Sequence, residues 1–301
     1  MRMSEVMGTI DSSDEGLYEV SEEELKKIHT LLADMLEDIA AVCKKYDIKW
    51  ILTAGGMLGA VRHQGFIPWD DDMDINMTRG DFNKLKDVFE AELGDKYVLA
   101  IPGDPGYPWT FPKIYKKGTK FKGIQTTNYS ECGFFVDIFI LENTHNNKFL
   151  RYIHGLKATF YAAVVSAVRT KRFKKDYLKF TKNNRKSYRS VKLMIFIGKL
   201  FWFKSLESWL KSADKCYSKV KKADSKYIVV PSGTQHYFGE LYLRDKMCTT
   251  KDVAFEDHFF PIPEDYDYYL SRRYGDYMTM PPVGERRNHV VVELDFGDKE
   301  E

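Results

Sequence analysis

Residues 49–77, KWILTAGGMLGAVRHQGFIPWDDDMDINM, restrict the fold of this chain more than any other part of its 301 residues. The short apolar run at 49–53 predicts a buried strand, Gly55 and Gly56 predict a turn, and residues 57–62 predict the start of a helix. Four carboxylates then lead into a second apolar run. The stretch therefore predicts a strand, a glycine turn, a helix and an acidic strand in close succession.

Two of these carboxylates, Asp72 and Asp74, are separated by one residue. Side chains of a strand alternate between its faces, so both acids point the same way. Two such charges repel by about 4 kcal/mol at roughly 4 Å and an effective dielectric constant of about 20. Carboxylate oxygens are the ligands that Mg²⁺ and Mn²⁺ prefer, and Mg²⁺ usually keeps substrate phosphates among its other ligands. The pair therefore indicates a metal site for a phosphate substrate, although acidic loops also occur as turns and helix caps.

One further acid lies within a predicted buried strand. Asp137 lies in GFFVDIFIL and is the only charge in a run of apolar residues. An unpaired carboxylate in a buried strand is costly, which favours a shared site with Asp72 and Asp74. Asp137 is also a candidate general base, a role that the sequence does not separate from metal binding.

A glycine pair after a strand, followed by acids that open the next strand, is similar to the nucleotidyltransferase fold. The segment GGMLGAVRHQGFIPWDDDMDI, the VDIF around Asp137 and the C-terminal YLSRRYGDYMTMPP resemble the LicD family more narrowly. This resemblance implies an α+β fold with a mixed sheet flanked by helices. It also implies transfer of phosphocholine, or a related phospho-alcohol, from a CDP-activated donor such as CDP-choline to a hydroxyl of a cell-surface glycan.

Further residues are candidates for binding the donor. The backbone at Gly55 and Gly56, followed by a helix N-terminus, suits phosphate oxygens. Arg62 is either a phosphate ligand or a salt-bridge partner of the aspartates. Lys113, on a predicted strand, either reaches a phosphate or protects a sheet edge from aggregation. The resemblance to LicD proteins adds the Arg287 and His289 segment, which it places near the donor phosphates.

Charge divides the chain into regions. Residues 148–226 hold 22 basic and 4 acidic side chains, whereas the remainder holds 24 basic and 40 acidic ones. We predict a catalytic core at 21–147, a basic helical insertion at 148–226, and a segment at 227–301 that completes the cleft. The basic region, with its apolar helices, is either a surface that contacts an anionic membrane or a self-contained helical subdomain.

Local patterns predict most elements of this architecture. Ser21 and Glu24 form a capping box for a helix that runs to residue 46, and further helices are expected at 79–93, 149–168, 191–209 and 265–277. Strands are expected at 97–101, around Lys113, at 134–141, in short segments within 227–260, and after His289.

Several classes of protein are disfavoured by the sequence. No apolar run is long enough to span a bilayer, and the N-terminal residues lack the apolar core of a signal peptide, so a cytoplasmic protein is expected, peripheral at most to the inner face of the membrane. The four scattered cysteines predict free thiols. No motif of a nucleic-acid-binding domain accompanies the basic region, so nucleic acid is not expected as a partner.

Two other functions remain open at this stage. One is nucleotidyl transfer to a small molecule or sugar, in which the nucleoside monophosphate stays on the acceptor. The other is a catalytically inactive module that binds a glycan or a membrane. The expected partners of the first hypothesis are a CDP-alcohol and a glycan or lipid-linked glycan acceptor.

Overall fold

A computed structural model describes residues 6, 10, 17–18, 20–126, 129–282, 284, 286 and 288–297. The helices are α1 Glu22–Lys45, α2 Ala54–His63, α3 Arg79–Leu93, α4 Lys148–Arg172, α5 Lys174–Thr181, α6 Arg185–Leu200, α7 Leu206–Tyr217, α8 His236–Gly239, α9 Arg244–Cys248 and α10 Tyr266–Tyr274. The strands are β1 Trp50–Leu52, β2 Met73–Thr78, β3 Tyr97–Ala100, β4 Lys113–Lys116, β5 Lys120–Gly123, β6 Phe135–Asn143, β7 Tyr227–Val229, β8 Leu241–Leu243, β9 Thr250–Phe255, β10 His258–Pro263 and β11 Val291–Asp295.

The main sheet has the strand order β1-β2-β6-β4-β3. Strands β2 and β6 are parallel, whereas the other neighbouring pairs are antiparallel. Strand β7 extends the far end of β6 through Glu142 and Asn143, and β8 pairs with β7. Two smaller pairs, β5 with β11 and β9 with β10, lie beside this sheet. The predicted α+β class with a mixed sheet is confirmed.

The two faces of the sheet have different environments. One face buries Ile75, Ile114 and Ile138 in a core that includes apolar residues of α1 and α3. The side chains of alternate residues on β2, β6 and β4 point to the other face and line a large cleft. Because strand side chains alternate with a period of two, the same strands supply both the core and the cleft.

Local signals in the sequence explain several element boundaries. The Ser21 side chain accepts a hydrogen bond from the backbone N–H of Glu24, and the Glu24 carboxylate accepts one from the N–H of Ser21, so the predicted capping box starts α1. Thr78 caps α3 by accepting from the N–H of Asp81. The predicted helix at 79–93 and the strands at 97–101 and around Lys113 are confirmed.

Two predictions about helices were wrong. The glycine pair is not a turn before a helix, because α2 already begins at Ala54 and includes both glycines. The single helix predicted at 191–209 is two helices, since α6 ends at Leu200 and Ser205 caps a new helix, α7. Apolar spacing does not distinguish a continuous helix from two consecutive ones, and only the capping hydroxyl marks the break.

Helices α6 and α7 both pack against α4, and α7 reaches the sheet through an ion-pair cluster. The Arg79 guanidinium at the start of α3 contacts the buried carboxylate of Glu142 on β6 and lies 2.7 Å from Asp214 Oδ1 of α7. This cluster ties the basic helices to the main sheet. Among the described residues, no helix combines the length and apolar character needed to cross a membrane. The division of the chain at residues 147 and 226 stays a prediction.

Candidate functional site

The centre of the cleft is a row of charged side chains on three adjacent strands. In the strand register, Asp74 of β2 is opposite Asp137 of β6, and Asp137 is opposite Lys113 of β4. Asp72 lies just before β2 and points to the same side as Asp74. Carboxylate oxygens of Asp72, Asp74 and Asp137 all lie within 4.8 Å of one another. The three acids expected from the sequence therefore meet.

This arrangement is electrostatically unfavourable for the protein alone. Burial, followed by the charges of Asp72 and Asp137, raises the pKa of Asp74 well above its usual range. Burial also raises the pKa of Asp137 to about 6, although the nearby Lys113 opposes that rise. Lys113 Nζ lies 2.5 Å from Asp137 Oδ1, so one of the three carboxylates has a cationic partner within the row.

The three carboxylates together suit a divalent cation. All three ligands are carboxylates, which suits Mg²⁺ or Mn²⁺ rather than softer metals. The raised pKa of Asp74 reflects a shortage of positive charge that such a cation would supply. The metal-binding role of the three acids stays a prediction, because the geometry shows only that they can share an ion.

The loop before β2 is held from several sides. His29 Nε2 of α1 lies 2.7 Å from the Asp70 carbonyl oxygen, and the His29 ring stacks on Phe66 at 4.4 Å between ring centroids. The backbone N–H of Phe66 donates to the Glu256 carboxylate from the turn between β9 and β10. These contacts hold the backbone of the loop in place and so set the positions of Asp71 and Asp72.

His289 holds the acidic loop from the other end of the chain. Its backbone N–H donates to Asp71 Oδ2 at 2.9 Å, its Nδ1 lies 2.7 Å from Asp71 Oδ1, and its Nε2 lies 3.6 Å from Asp72 Oδ2. Loss of solvent lowers the pKa of His289, but Asp71 and Asp72 outweigh that effect and raise it to about 10. The ligand atoms of Asp71, Asp72 and His289 lie within 4.8 Å of one another, so these residues form a second group that could hold a metal ion. Arg287, the other predicted residue of this segment, lies outside the described residues.

The glycine pair allows α2 to approach the acidic loop closely. A Cβ atom on Gly55 would lie 2.3 Å from Asp70 Oδ2, and one on Gly56 would lie 2.6 Å from Met73 Sδ. Gly55 lines a cavity, whereas Gly56 is packed against β2. A phosphate-binding role for this helix N-terminus stays a prediction.

The first residue of α2 has a strained backbone. Ala54 adopts a φ of +43°, which non-glycine residues rarely do. The Tyr269 hydroxyl of α10 accepts hydrogen bonds from the Ala54 N–H at 3.2 Å and from the Thr53 hydroxyl at 3.0 Å. Contacts from a distant helix thus stabilise a conformation at the edge of the site, as is common where a binding site is built.

The structure resolves the alternatives for two basic residues. Arg62 donates from Nη1 to the Tyr277 carbonyl at 2.9 Å and from Nε to His63 at 3.0 Å, and it forms no salt bridge to the aspartates. Lys113 does not protect a sheet edge, because β4 lies between β6 and β3 and the side chain is buried against Asp137. The phosphate-binding role of either residue stays a prediction.

Other residues of the site were missed at the sequence level. Asp70 and Asp71 belong to the same carboxylate cluster, and burial together with Asp72 and Asp71 raises the pKa of Asp70 well above its usual range. Arg273 of α10 faces the acids and pairs with Glu240 at 3.5 Å. The spacing of four residues between Tyr269 and Arg273, which places both on one helix face, was the available signal.

Two cavities meet at the carboxylates. The large cleft has a volume of about 1250 Å³ and is lined by β2, β4 and β6 and by the inward side of α4. A second cavity of about 420 Å³ lies between the start of α2 and α10. Asp72, Asp74, Arg273 and His289 line both. A reacting group held at these acids is therefore accessible from two sides.

Comparison with known proteins gives several matches. The family model described as "LicD/FKTN/FKRP, nucleotidyltransferase domain" matches residues 47–173, which contain the three acids. Lipopolysaccharide cholinephosphotransferase LicD of Haemophilus influenzae is 26% identical over 290 residues, which cover 89% of this chain and 97% of that protein. Uncharacterized proteins of Rickettsia typhi and Rickettsia prowazekii are 37% and 36% identical over shorter segments, which cover 30% and 28% of their lengths. With its mixed sheet, its acidic strand and these matches, the chain carries at residues 47–173 a domain similar to the nucleotidyltransferase domain of the LicD family.

Proposed function

We propose that this protein transfers phosphocholine, or a related phospho-alcohol, from a CDP-activated donor to a hydroxyl of a glycan, with Mg²⁺ or Mn²⁺. The observation that carries the proposal is the meeting of Asp72, Asp74 and Asp137 where two cavities join. The cholinephosphotransferase name of the H. influenzae relative, which aligns along nearly its whole length, supports the same reaction class.

The two cavities suggest separate places for the two substrates. The smaller one has a size typical of small-molecule sites and is lined by Gly55, Arg62, Arg273 and His289, which suit the diphosphate of the donor. The larger cleft suits a glycan, because its volume is about 1250 Å³ and it is lined by aromatic and polar side chains. The acceptor hydroxyl would then approach the phosphorus from the side opposite to the leaving CMP.

The chain supplies positioning and charge for this reaction. Asp72, Asp74 and Asp137 would hold the metal, which when bound neutralises phosphate charge and lowers the pKa of the acceptor hydroxyl. Lys113 keeps the Asp137 carboxylate ionised and fixes its orientation. His289 and Arg273 place positive charge beside the position where a phosphate would develop more negative charge.

Nucleotidyl transfer is the second candidate, because the same acids and cavities suit attack at the other phosphorus of the donor. Mass analysis of the product separates the two reactions. Phosphocholine transfer adds the phospho-alcohol to the acceptor and releases CMP, whereas nucleotidyl transfer adds the nucleoside monophosphate and releases the phospho-alcohol. An inactive module would yield neither product and would not bind nucleotide in a metal-dependent way.

A thermal-shift panel with CDP-choline, CDP-ribitol, CDP-glycerol and CTP tests the proposal. We expect one CDP-alcohol to stabilise the protein in the presence of Mg²⁺ but not in EDTA. A ligand at a hundred times its dissociation constant adds about 2.7 kcal/mol to the free energy of unfolding. If all four nucleotides leave the melting temperature unchanged with Mg²⁺, the proposed donor class is wrong.

The basic helices support a further part of the proposal, contact with an anionic lipid surface. Large apolar side chains are exposed on α4, on α6 and in the loop after α6, and we call these residues the apolar surface. Its members are Phe149, Leu150, Tyr152, Ile153, Leu156, Phe160, Leu193, Phe196, Leu200, Trp202 and Phe203. The surrounding region carries an excess of 18 basic charges. Exposed aromatics within a basic field match an anionic bilayer, where a lipid-linked acceptor would be found.

A further inference from the structure

One face of α4 forms a wall of the large cleft. Thr159, Ala163 and Ser166 line the cleft at the spacing of one helical turn, and Arg169 follows one turn later. The first three side chains are small, so they leave space beside the helix. Arg169 therefore brings a positive charge into the cleft at the end of a stripe of small residues.

The charge of Arg169 has no anionic partner among the described residues. Its guanidinium lies 4.9 Å from the centroid of the Trp109 ring, and Nη1 makes a long contact of 3.5 Å with the Pro108 carbonyl. Its Nε is buried and has no hydrogen bond, and burial lowers the pKa of the side chain. By contrast, Arg79 and Arg273 are both paired with buried carboxylates. An unpaired, desolvated cation is costly, which points to a partner that arrives with a ligand.

Other unsatisfied polar groups surround the same cleft. Apart from Asp137 Oδ1, which Lys113 contacts, seven buried side-chain polar atoms lack a hydrogen bond in the part of the chain that the structure describes, and five of them belong to residues that line this cleft. They include the Tyr217 hydroxyl and Arg169 Nε. Buried polar groups are nearly always hydrogen-bonded in native proteins, so their concentration here indicates a site built for a polar ligand.

The aromatic rings of the cleft disfavour a cationic ligand at this place. The Trp109 ring is approached by Arg169 and by Lys113, whose Nζ lies 5.3 Å from its centroid. Lys113 Nζ also lies 3.3 Å from the centroid of Phe135. These rings already hold the protein's own cations, so a quaternary ammonium group would be repelled.

We propose that Arg169 binds an anionic group, a phosphate or a carboxylate, of one of the two substrates, at a subsite apart from the acids. This inference rests on the proposed function for the identity of the substrates. Distances of 5.3 Å and 4.9 Å to the same Trp109 centroid place Lys113 Nζ and the Arg169 guanidinium carbon at most about 10 Å apart. One substrate can therefore reach both Arg169 and the reacting centre.

Binding of inorganic phosphate in EDTA tests the subsite without any transfer reaction. We expect phosphate to raise the melting temperature of the wild type, of Arg169→Lys and of Asp74→Asn, but not of Arg169→Gln. Arg189→Gln is the matched control, because it removes an exposed arginine of α6 by the same substitution. Ligand-free Arg169→Gln should melt no lower than the wild type, since it removes an unpaired cation.

The outcomes that overturn the proposal are specific. They are an equal phosphate response in Arg169→Gln and the wild type, or no response in the wild type. If Arg169→Gln is destabilised through loss of the Trp109 contact, Arg169→Lys decides, because it keeps the charge. Loss of the phosphate response in that variant would also overturn the proposal, because the retained positive charge should still bind phosphate.

Steady-state kinetics identify which substrate carries the anion. We expect Arg169→Gln to raise one KM by about 10- to 100-fold, as for a lost hydrogen bond to a charged group, with kcat little changed. A rise in the KM of the CDP-alcohol assigns the anion to the donor, and a rise in the KM of the glycan assigns it to the acceptor. Two unchanged KM values would overturn the proposal. A wild type that transfers nothing but binds phosphate through Arg169 would instead contradict only the proposed function.

Discussion

At the scale of single residues, the site concentrates negative charge that the protein does not fully compensate. Asp70, Asp71, Asp72 and Asp74 cluster with Asp137, while the cations that contact these five acids in the described chain are Lys113 and His289. Burial and mutual repulsion raise the pKa of Asp74, which means that its ionised form destabilises the fold. Residues that reduce stability in this way are typical of functional sites.

Replacing Asp74 by alanine is expected to separate activity from folding. Loss of a metal ligand should lower turnover at saturating Mg²⁺ by a hundredfold or more, about 3 kcal/mol of barrier. The melting temperature in EDTA should stay the same or rise, because a buried, repelled carboxylate is removed. Turnover and thermal unfolding of the same preparation measure both effects.

The control for this variant is Asp257→Ala in the exposed turn between β9 and β10. It should leave turnover unchanged. Near-normal turnover of Asp74→Ala would remove this acid from the mechanism, even if the three carboxylates meet in space.

At the scale of elements, a glycine allows α4, which forms a wall of the cleft, to pack closely against α6. Helices α4 and α6 meet at Gly198, where an added Cβ atom would lie 2.3 Å from the carbonyl oxygen of Ala167. The obstacle is backbone, so it cannot rotate away. The position of α4, and with it the cleft wall that α4 forms, therefore depends on the small size of Gly198 on α6.

We expect Gly198→Ala to destabilise the protein despite the better helix propensity of alanine. Forcing two helices apart costs about 1–3 kcal/mol, which exceeds the roughly 1 kcal/mol gained from propensity. Thermal unfolding should show a melting temperature lower by a few degrees.

Gly80→Ala, in the first turn of α3, is the matched control. An added Cβ atom there would meet only Thr78 Oγ1 at 3.7 Å, an ordinary contact. This variant should be neutral or more stable. A Gly198→Ala protein as stable as Gly80→Ala would show that α4 and α6 can separate without cost.

At the scale of the whole molecule, charge and exposed apolar area occur together in residues 148–226. This region has an excess of 18 basic charges, whereas the rest of the chain has an excess of 16 acidic ones. Trp202 and Phe203 are 76% and 60% exposed in the loop between α6 and α7. A bilayer with anionic headgroups would match both properties, since it accepts aromatic side chains and attracts lysines.

Co-sedimentation with vesicles should detect this contact. We expect binding to anionic vesicles that weakens as the salt concentration rises. The reason is that the Debye length falls from about 10 Å at 0.1 M to about 3 Å at 1 M, so charges attract over shorter distances. Substituting both Trp202 and Phe203 by alanine should reduce binding at least tenfold, because the variant lacks two apolar side chains that would be buried in the bilayer.

Phe259→Ala controls for the loss of an exposed aromatic ring, because Phe259 is 73% exposed on β10, outside the basic region. It should bind as the wild type does. Equal binding to neutral and anionic vesicles would contradict the electrostatic part of the proposal. Strong binding to random oligonucleotides at physiological salt would favour nucleic acid instead.

The sequence alone determined those features that depend on local periodicity and short spacing. Alternation along β2 placed Asp72 and Asp74 on one side, an isolated charge marked Asp137, the Ser21 capping box marked the start of α1, and apolar spacing marked α3. Local geometry fixes each of these because neighbouring residues in a strand or helix have set directions.

The tertiary structure decided everything that depends on residues distant in sequence. It brought Lys113 and His289 to the acids, set Tyr269 and Arg273 against α2, and left Arg169 in the cleft without an anionic partner among the described residues. It also showed that the glycine pair belongs to α2, where closeness to Asp70 requires it. Such contacts follow from how sheet and helices pack, and packing is a property of the whole chain that no local pattern contains.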